Sequence, residues 1–375
     1  FSEVVSKALK VIAHNPLVID IDDPTYEGGE LIGSTDYEAF IAEGDPEFAW
    51  QPPADEWEAI SLNYTSGTTG NPKGVPINHS SICNFLKVAA AEYGFSAEDR
   101  VYQSLTLAFD YSFEEIWVPL LCGSCLIPAP SGVNLLGSDL AQYLNERKIT
   151  AWCSVPTILS TIEVDLPHLR LLIVSGEVCP PDLIARWQTP ERRILNLYGP
   201  TETTVSATWK VLTTGGKVTI GKPLPTYTAM ILAVDEPQVL NPGDEGEIAL
   251  AGVGLSSRYL NREAETTKAF IPDFLKLKNN PGGLIYRTGD LGKINNEGEI
   301  EYRGRVDTQV KIRGYRIELG EIETIAREHS GLGNLVVNPV EVETSNLELA
   351  VYFTAPADGN VVDISALQEA LRDRL

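Results

Sequence analysis

The sequence predicts an α/β fold in two unequal parts: a mostly parallel sheet covered by helices, followed by a smaller β-rich region. Between about residues 126 and 198 short apolar runs alternate with helical stretches, the pattern of parallel strands joined by helical crossovers. From Val218 to about Tyr302 the helical period weakens and short alternating strands take over, punctuated by Asn241-Pro242-Gly243-Asp244 and Asn295-Asn296-Glu297-Gly298, both turn formers. At 375 residues and 43% hydrophobic content the chain can bury a sizeable core and form more than one domain.

The elements follow in order. Val4, Val5, Ala8, Leu9 and Ile12 have helical spacing, Leu17 to Ile21 reads as a strand, and an acidic loop ends in Gln51-Pro52-Pro53-Ala54-Asp55-Glu56. Strands are expected at Leu126 to Pro128, Ile149 to Ser154, Leu171 to Val174 and Ile194 to Leu197. Helices are expected around Leu140, Tyr143 and Leu144, at Ile158 to Ile162 and at Leu183 to Trp187. Ligands in such sheets bind beyond the carboxyl ends of the strands, so Pro156-Thr157, Ser175-Gly176-Glu177 and Tyr198-Gly199-Pro200-Thr201-Glu202 are the expected site walls. A basic stretch, Lys311 to Arg316, then leads to a helix from Leu319 and a strand near Leu347 to Phe353.

The net charge of −23, from 29 basic and 52 acidic residues, argues against nucleic acid or an anionic membrane surface as partner. A small-molecule substrate fits better. The five cysteines form an odd set without paired spacing, as expected of a reduced cytoplasmic protein. Cys122 and Cys125 spell C-x-x-C inside an apolar run, where burial is the expectation rather than zinc or redox work. The four histidines show no metal spacing, and no apolar run approaches the ~20 residues of a membrane span. The chain opens on Phe1 and is read as a segment of a longer protein.

Residues 64 to 74, Tyr-Thr-Ser-Gly-Thr-Thr-Gly-Asn-Pro-Lys-Gly, combine three glycines, hydroxyls and a lysine. Backbone N–H groups beside Gly67, Gly70 and Gly74, the hydroxyls of Thr65, Ser66, Thr68 and Thr69, and the Lys73 ammonium suit a polyphosphate. The spacing is not that of a Walker loop. An ordinary turn with a solvated lysine remains the alternative on these residues alone.

With three further segments, Tyr198 to Thr204, Tyr286 to Leu291 and Tyr302 to Glu318, this loop resembles the adenylate-forming superfamily: acyl-CoA ligases, luciferases and the adenylation domains of non-ribosomal peptide synthetases. From about Leu105 onward the chain looks most like adenylation domains of the ε-poly-lysine synthetase type. Residues 1 to about 80 look more like a medium-chain acyl-CoA ligase. The resemblance implies a large amino-terminal core over 1–306, incomplete at its start and β-rich over about 218–306, and a mobile α+β carboxyl-terminal subdomain beginning at 307, with Asp307 at the hinge and only its start present. The family's catalytic lysine, in a Gly-Lys motif, would lie beyond Leu375.

The implied chemistry uses ATP and Mg²⁺. The substrate carboxylate attacks the α-phosphate, pyrophosphate leaves, and the acyl-adenylate passes to a thiol. By motif, Thr65, Lys73 and Glu202 would serve catalysis, and Glu202 would hold Mg²⁺, a hard cation that takes few protein oxygens. Thr65, Ser66, Gly67, Thr68, Thr69, Gly70, Lys73, Gly176, Glu177, Asn196, Tyr198, Gly199, Thr201, Glu202, Asp290 and Arg305 would contact the nucleotide, Tyr198 against adenine and Asp290 on the ribose hydroxyls. Glu202 as a helix-start carboxylate and Tyr198 as a buried strand-end aromatic are the plainer alternatives.

Phe109-Asp110-Tyr111-Ser112 matches the motif in which amino-acid-activating members pair an aspartate with the substrate α-ammonium. Asp110 or Ser112 as a helix cap is the alternative. The rest of the implied pocket is Tyr111, Glu114, Cys153, Ile173, Ser175, Leu197, Val205 and Ser206, with Phe109 at its edge. Glu114, one helical turn beyond Asp110, adds a second carboxylate that suits lysine or another diamino acid. Its alternative is an exposed helix carboxylate, as expected of Glu115 beside it. The expected function is amino-acid adenylation for a phosphopantetheine carrier, from a cytoplasmic segment without membrane contact whose parent protein has room to be membrane-associated. An acyl-CoA ligase and a non-catalytic nucleotide-binding module are the competing readings.

Overall fold

The computed structural model describes residues 19–20, 35–36, 59–65, 73–130, 133, 135–307, 309–312, 315–330, 335–343, 346–354, 364, 366–368 and 371. Two compact units are present, Phe1–Asp55 and Glu56–Leu375. In the first, β1 (Ile19–Asp20) and β2 (Thr35–Asp36) pair in parallel. The helix expected over the first residues lies outside the described ones.

The second unit opens with an antiparallel pair, β3 (Ala59–Thr65) and β4 (Lys73–Asn78), and helix α1 (His79–Tyr93), which ends on Gly94 in the left-handed region. Glycine is the residue for that position because it has no Cβ to clash. Next come β5 (Arg100–Gln103), α2 (Tyr111–Leu121), β6 (Cys125–Pro128), α3 (Gly137–Glu146), β7 (Ala151–Ser154), α4 (Pro156–Ser160), β8 (Leu171–Val174), α5 (Pro181–Trp187) and β9 (Arg193–Tyr198). Prolines at the first turns of α4 and α5 suit positions whose N–H has no helical partner.

β10 (Thr208–Leu212) and β11 (Lys222–Pro223) complete a seven-stranded sheet of order β11-β10-β9-β8-β7-β5-β6. It is parallel from β6 through β9, and β10 and β11 are antiparallel additions. The expected alternation is present, and α1 is a further helix the sequence reading did not assign.

Strands β7 and β8 are buried at every residue, which is why they read as unbroken apolar runs. Their side chains alternate between two cores. Ala151, Cys153, Leu171, Ile173, Leu195 and Leu197 join Phe85 of α1 and Val118 of α2 in one cluster. Trp152, Leu172, Val174 and Ile194 join Leu140 and Leu144 of α3, Leu159 of α4 and Leu183 of α5 in the other. At the opposite edge β6 has one neighbour, and Cys125 is exposed and Cys122 half-buried. The burial expected of this pair therefore fails at Cys125, because an edge strand covers fewer of its side chains.

A second sheet holds β12 (Tyr227–Leu232), β13 (Gly246–Gly252), β14 (Phe270–Pro272), β15 (Leu284–Ile294) and β16 (Ile300–Arg305), all antiparallel, with α6 (Glu263–Ala269) ahead of β14. Beyond it β17 (Gln309–Ile312) pairs with β18 (Tyr315–Glu318), and β19 (Leu335–Glu343) pairs with β20 (Asn346–Phe353). Helix α7 (Leu319–Ser330) lays Leu319, Ile322 and Ala326 against Leu335 and Val337 in a third apolar cluster.

Candidate active site

The parallel sheet delivers β9 to Tyr198 at its carboxyl edge. A Cβ on the next residue, Gly199, would stand 2.5 Å from the Val205 carbonyl oxygen and the Ser206 Cα, so the two limbs of the 199–206 turn meet as glycine alone permits. Thr201–Thr203 form a single 3-10 turn that carries the fully buried Glu202. The backbone then passes through Thr204 at φ 59° and Val205 at φ 69°, a left-handed conformation costing of order 1–3 kcal/mol for such residues. Two bonds hold it. Thr204 Oγ1 donates to the Gly254 carbonyl at 2.7 Å, and the Tyr227 hydroxyl donates to the Thr203 carbonyl at 2.8 Å.

Four predicted residues converge through side chains. The Tyr198 hydroxyl donates to Asp290 Oδ2 at 2.5 Å, and Arg305 Nη1 donates to Asp290 Oδ1 at 2.6 Å. The same guanidinium donates to Asp307 from Nε at 2.6 Å and Nη2 at 2.8 Å. Register supplies the pairing, since β15 sets Asp290 opposite Arg305 on β16. Burial, with the Asp290 charge beside it, keeps the Tyr198 phenol well above its ordinary range, so it remains a donor.

The loop lysine belongs to a second group. Thr65, at the end of β3, faces Lys73 across the strand pair. The Lys73 ammonium lies 4.6 Å above the Tyr259 ring, and the Tyr259 hydroxyl donates to Glu202 Oε1 at 2.6 Å. Ser66, Gly67, Thr68, Thr69 and Gly70 lie outside the described residues. Gly176 is left-handed after β8, and Glu177 accepts the Thr157 N–H at 2.9 Å and hydroxyl at 2.8 Å. Thr201 opens the 3-10 turn. The Asn196 amide donates to the Thr219 carbonyl at 2.8 Å.

The expected pocket residues also gather. Phe109 and Tyr111 rings meet edge to face at 5.9 Å, and the Tyr111 hydroxyl donates to the Ile173 carbonyl at 3.2 Å. Register sets Cys153 beside Ile173, with Ser175 one step past β8 and Leu197 on β9. Asp110 stands at the N-cap position of α2 without a side-chain capping bond, so capping does not account for it. Glu114 is fully buried. Its Oε2 accepts the Ser206 hydroxyl at 3.0 Å and lies 3.5 Å from the Tyr93 hydroxyl, while Oε1 has no hydrogen-bond partner among the described residues. Burial, reinforced by the Asp110 charge, pushes the Glu114 carboxyl up to about 8.

Glu115 departs from the exposed position expected of it. It too is fully buried, accepting the Ser104 N–H at 3.0 and 3.1 Å, the Leu105 N–H at 3.0 Å and the Gln103 amide at 3.3 Å. Tyr93 and Tyr259 were not singled out in the sequence. Each reaches the site through packing between distant segments, and nothing in its own neighbourhood along the chain marks it.

A family model described as AMP-binding enzyme matches residues 4–260. The chain belongs to the AMP-binding enzyme family. Among its relatives, delta-poly-L-ornithine synthetase of Acinetobacter baumannii is 40% identical over 83% of this chain and 23% of its own length. Bacitracin synthase 3 of Bacillus licheniformis is 38% identical over 80% of this chain and 5% of its own. The chain thus spans under a quarter of these relatives. The adenylation domain AlmE of Vibrio cholerae, solved with glycyl-adenosine-5'-phosphate, superposes at TM-score 0.80 with 25% identity, over 99% of this chain and 72% of that one.

The fold is therefore that of the adenylate-forming enzymes, and the domain is an AMP-forming ligase that uses ATP and Mg²⁺. Its residues fit the metal. Glu202 offers a buried hard carboxylate, and no cluster of three or more His, Cys, Asp or Glu is placed for a metal among the described residues. A hard carboxylate is the donor type that suits Mg²⁺, which takes oxygen ligands. No helix among the described residues is long and apolar enough to cross a membrane.

Proposed function

We propose that this AMP-binding enzyme activates an amino acid bearing a second amino group, ornithine or lysine in kind, as its aminoacyl-adenylate and passes it to a phosphopantetheine carrier thiol. One observation carries the substrate class. Glu114 is a fully buried carboxyl with one oxygen held by Ser206 and Tyr93 and the other without a hydrogen-bond partner among the described residues. A buried oxygen of this kind is costly unless a ligand donates to it, and a side-chain ammonium supplies a donor and the compensating charge. The relationship to a poly-ornithine synthetase supports the same class. The carrier is supported by a solved neighbour at 25% identity, NpsA-ThdA, in which an adenylation domain is fused to a carrier domain.

Asp110, one turn before Glu114 on α2, would pair with the α-ammonium, so two carboxylates hold the two ends of the substrate's cationic skeleton. Asp290 would take the ribose hydroxyls with Arg305 beside it, and Tyr198 would lie against adenine. The substrate carboxylate and the triphosphate repel each other, and Lys73 lowers that cost by its charge. Glu202 would hold Mg²⁺, which neutralises the phosphates when bound. Attack on the α-phosphorus expels pyrophosphate, and the thiol then displaces AMP.

Substrate-dependent ATP–pyrophosphate exchange on the full-length protein tests this reading with ornithine, lysine, diaminobutyrate, alanine, phenylalanine and octanoate. Exchange with the diamino acids is expected, lost in Asp110→Ala and shifted toward neutral amino acids in Glu114→Ala. Exchange with octanoate that ignores Asp110 would instead place the chain among acyl-CoA ligases. ATP binding without any exchange would leave it a nucleotide-binding module.

A further inference from the structure

Tyr259 has no assigned part in the site, yet it touches both charged groups, Lys73 and Glu202, that the proposed function, on which this inference rests, sets against the triphosphate. It lies on the segment after β13, which is sewn to the phosphate side of the molecule by four bonds. The Leu260 N–H donates to the Gly74 carbonyl at 2.8 Å and Ser256 Oγ to the Pro76 carbonyl at 2.9 Å, both on β4, the strand that Lys73 begins. The Ser256 N–H donates to the backbone carbonyl of Glu202 at 2.8 Å, and Ser81 Oγ donates to the Val253 carbonyl at 2.9 Å. The ring is fixed as well: Phe270 packs against it edge to face at 5.4 Å, and the Tyr259 N–H donates to Thr266 Oγ1 at 3.0 Å.

The two ends of this side chain do different work. Its ring face lies 4.6 Å from the Lys73 ammonium, an attraction that orients a cation while leaving its charge in place. Its hydroxyl donates to Glu202 Oε1 at 2.6 Å. One rigid side chain thereby fixes the separation of a cation on β4 and a carboxylate on the turn after β9, far apart in sequence.

We propose that Tyr259 is a positioning residue that couples the loop lysine to the metal-binding carboxylate, so that Lys73 and Glu202 meet Mg²⁺-ATP as one preset unit. The two contacts are separable by substitution. Tyr259→Phe keeps the ring beneath Lys73 and removes the bond to Glu202. Tyr259→Leu removes both.

The test is ATP affinity of the full-length protein, measured calorimetrically without amino acid, with Mg²⁺ and with EDTA, alongside far-ultraviolet circular dichroism and melting of each variant. Tyr259→Phe is expected to leave the Mg²⁺-free affinity unchanged and to reduce the gain on adding Mg²⁺ by about tenfold, the size of a lost hydrogen bond to a charged group. Tyr259→Leu is expected to lose Mg²⁺-free affinity in addition, by about threefold to tenfold. Equal losses with and without Mg²⁺ in both variants, or no loss in Tyr259→Phe, would overturn the coupling. Because no amino acid is present, the result is independent of which substrate the enzyme activates.

Discussion

Replacing Glu114 by glutamine should raise the stability relative to wild type as the pH rises, and the size of the relative gain follows from the burial of that carboxyl. Its folded-state pKa of about 8 stands above the ordinary value of 4.5. Below pH 4.5 the group is neutral in both states and burial brings no ionisation penalty. Between 4.5 and 8 the unfolded chain releases its proton first, so stability declines by about 1.4 kcal/mol per pH unit. The loss is about 3 kcal/mol at pH 7 and is complete, at about 5 kcal/mol, above pH 8. Glutamine keeps the shape and still accepts from Ser206, but it does not titrate. Any constant cost of its amide cancels when the difference between the two proteins is followed with pH. Thermal melts of wild type and Glu114→Gln at half-unit steps from pH 4.5 to 9 should show the variant's midpoint rising relative to wild type by several degrees, with the whole change between pH 4.5 and 8. A difference that stays flat across that window would mean that Glu114 is not held in a desolvated site, and the pocket argument built on its burial would fail.

Two further outcomes test the frame around the site. Glu115→Ala should destabilise the protein by about 1–2 kcal/mol, because the Ser104 and Leu105 N–H groups lose a charged acceptor at a part-buried site; Glu115→Gln should recover part of this in urea unfolding. Gly199→Ala should destabilise by more than about 3 kcal/mol, since its Cβ would strike backbone that cannot rotate away. Circular dichroism and soluble yield would report that loss, and normal stability would show that the 199–206 turn is looser than described.

The sheet was legible because the strands buried on both faces, such as Leu171 to Val174, must be apolar at every position, and such runs stand out against amphipathic helices. The nucleotide-side residues were legible through segment resemblance, and Tyr198, Asp290 and Arg305 do meet in space. The environment of α2 was not legible. Two adjacent glutamates on a helix ordinarily point to water, and what buries this pair is a loop that supplies N–H donors to Glu115 and a tyrosine on α1 that approaches Glu114. Tyr259 was hidden for a similar reason, since its meaning depends on Lys73 and Glu202, contributed by β4 and by the turn after β9. Cys125 illustrates the converse: hydropathy gave its run as buried, but hydropathy does not tell an edge strand from a central one.

The left-handed pair Thr204–Val205 constrains how this site can be re-engineered. Libraries that randomise the wall beside Ser206 would be filtered first by backbone and only afterwards by substrate, with glycine, asparagine and aspartate enriched at 204 and 205 because they relieve the positive φ. A variant that gains freedom there also loosens the hydroxyl that seats Glu114. Changes of specificity sought by swapping single wall residues would therefore arrive coupled to changes in order, and exchanging the entire 199–206 turn together with its partners Tyr227 and Gly254 is the unit of transplantation that keeps the two apart.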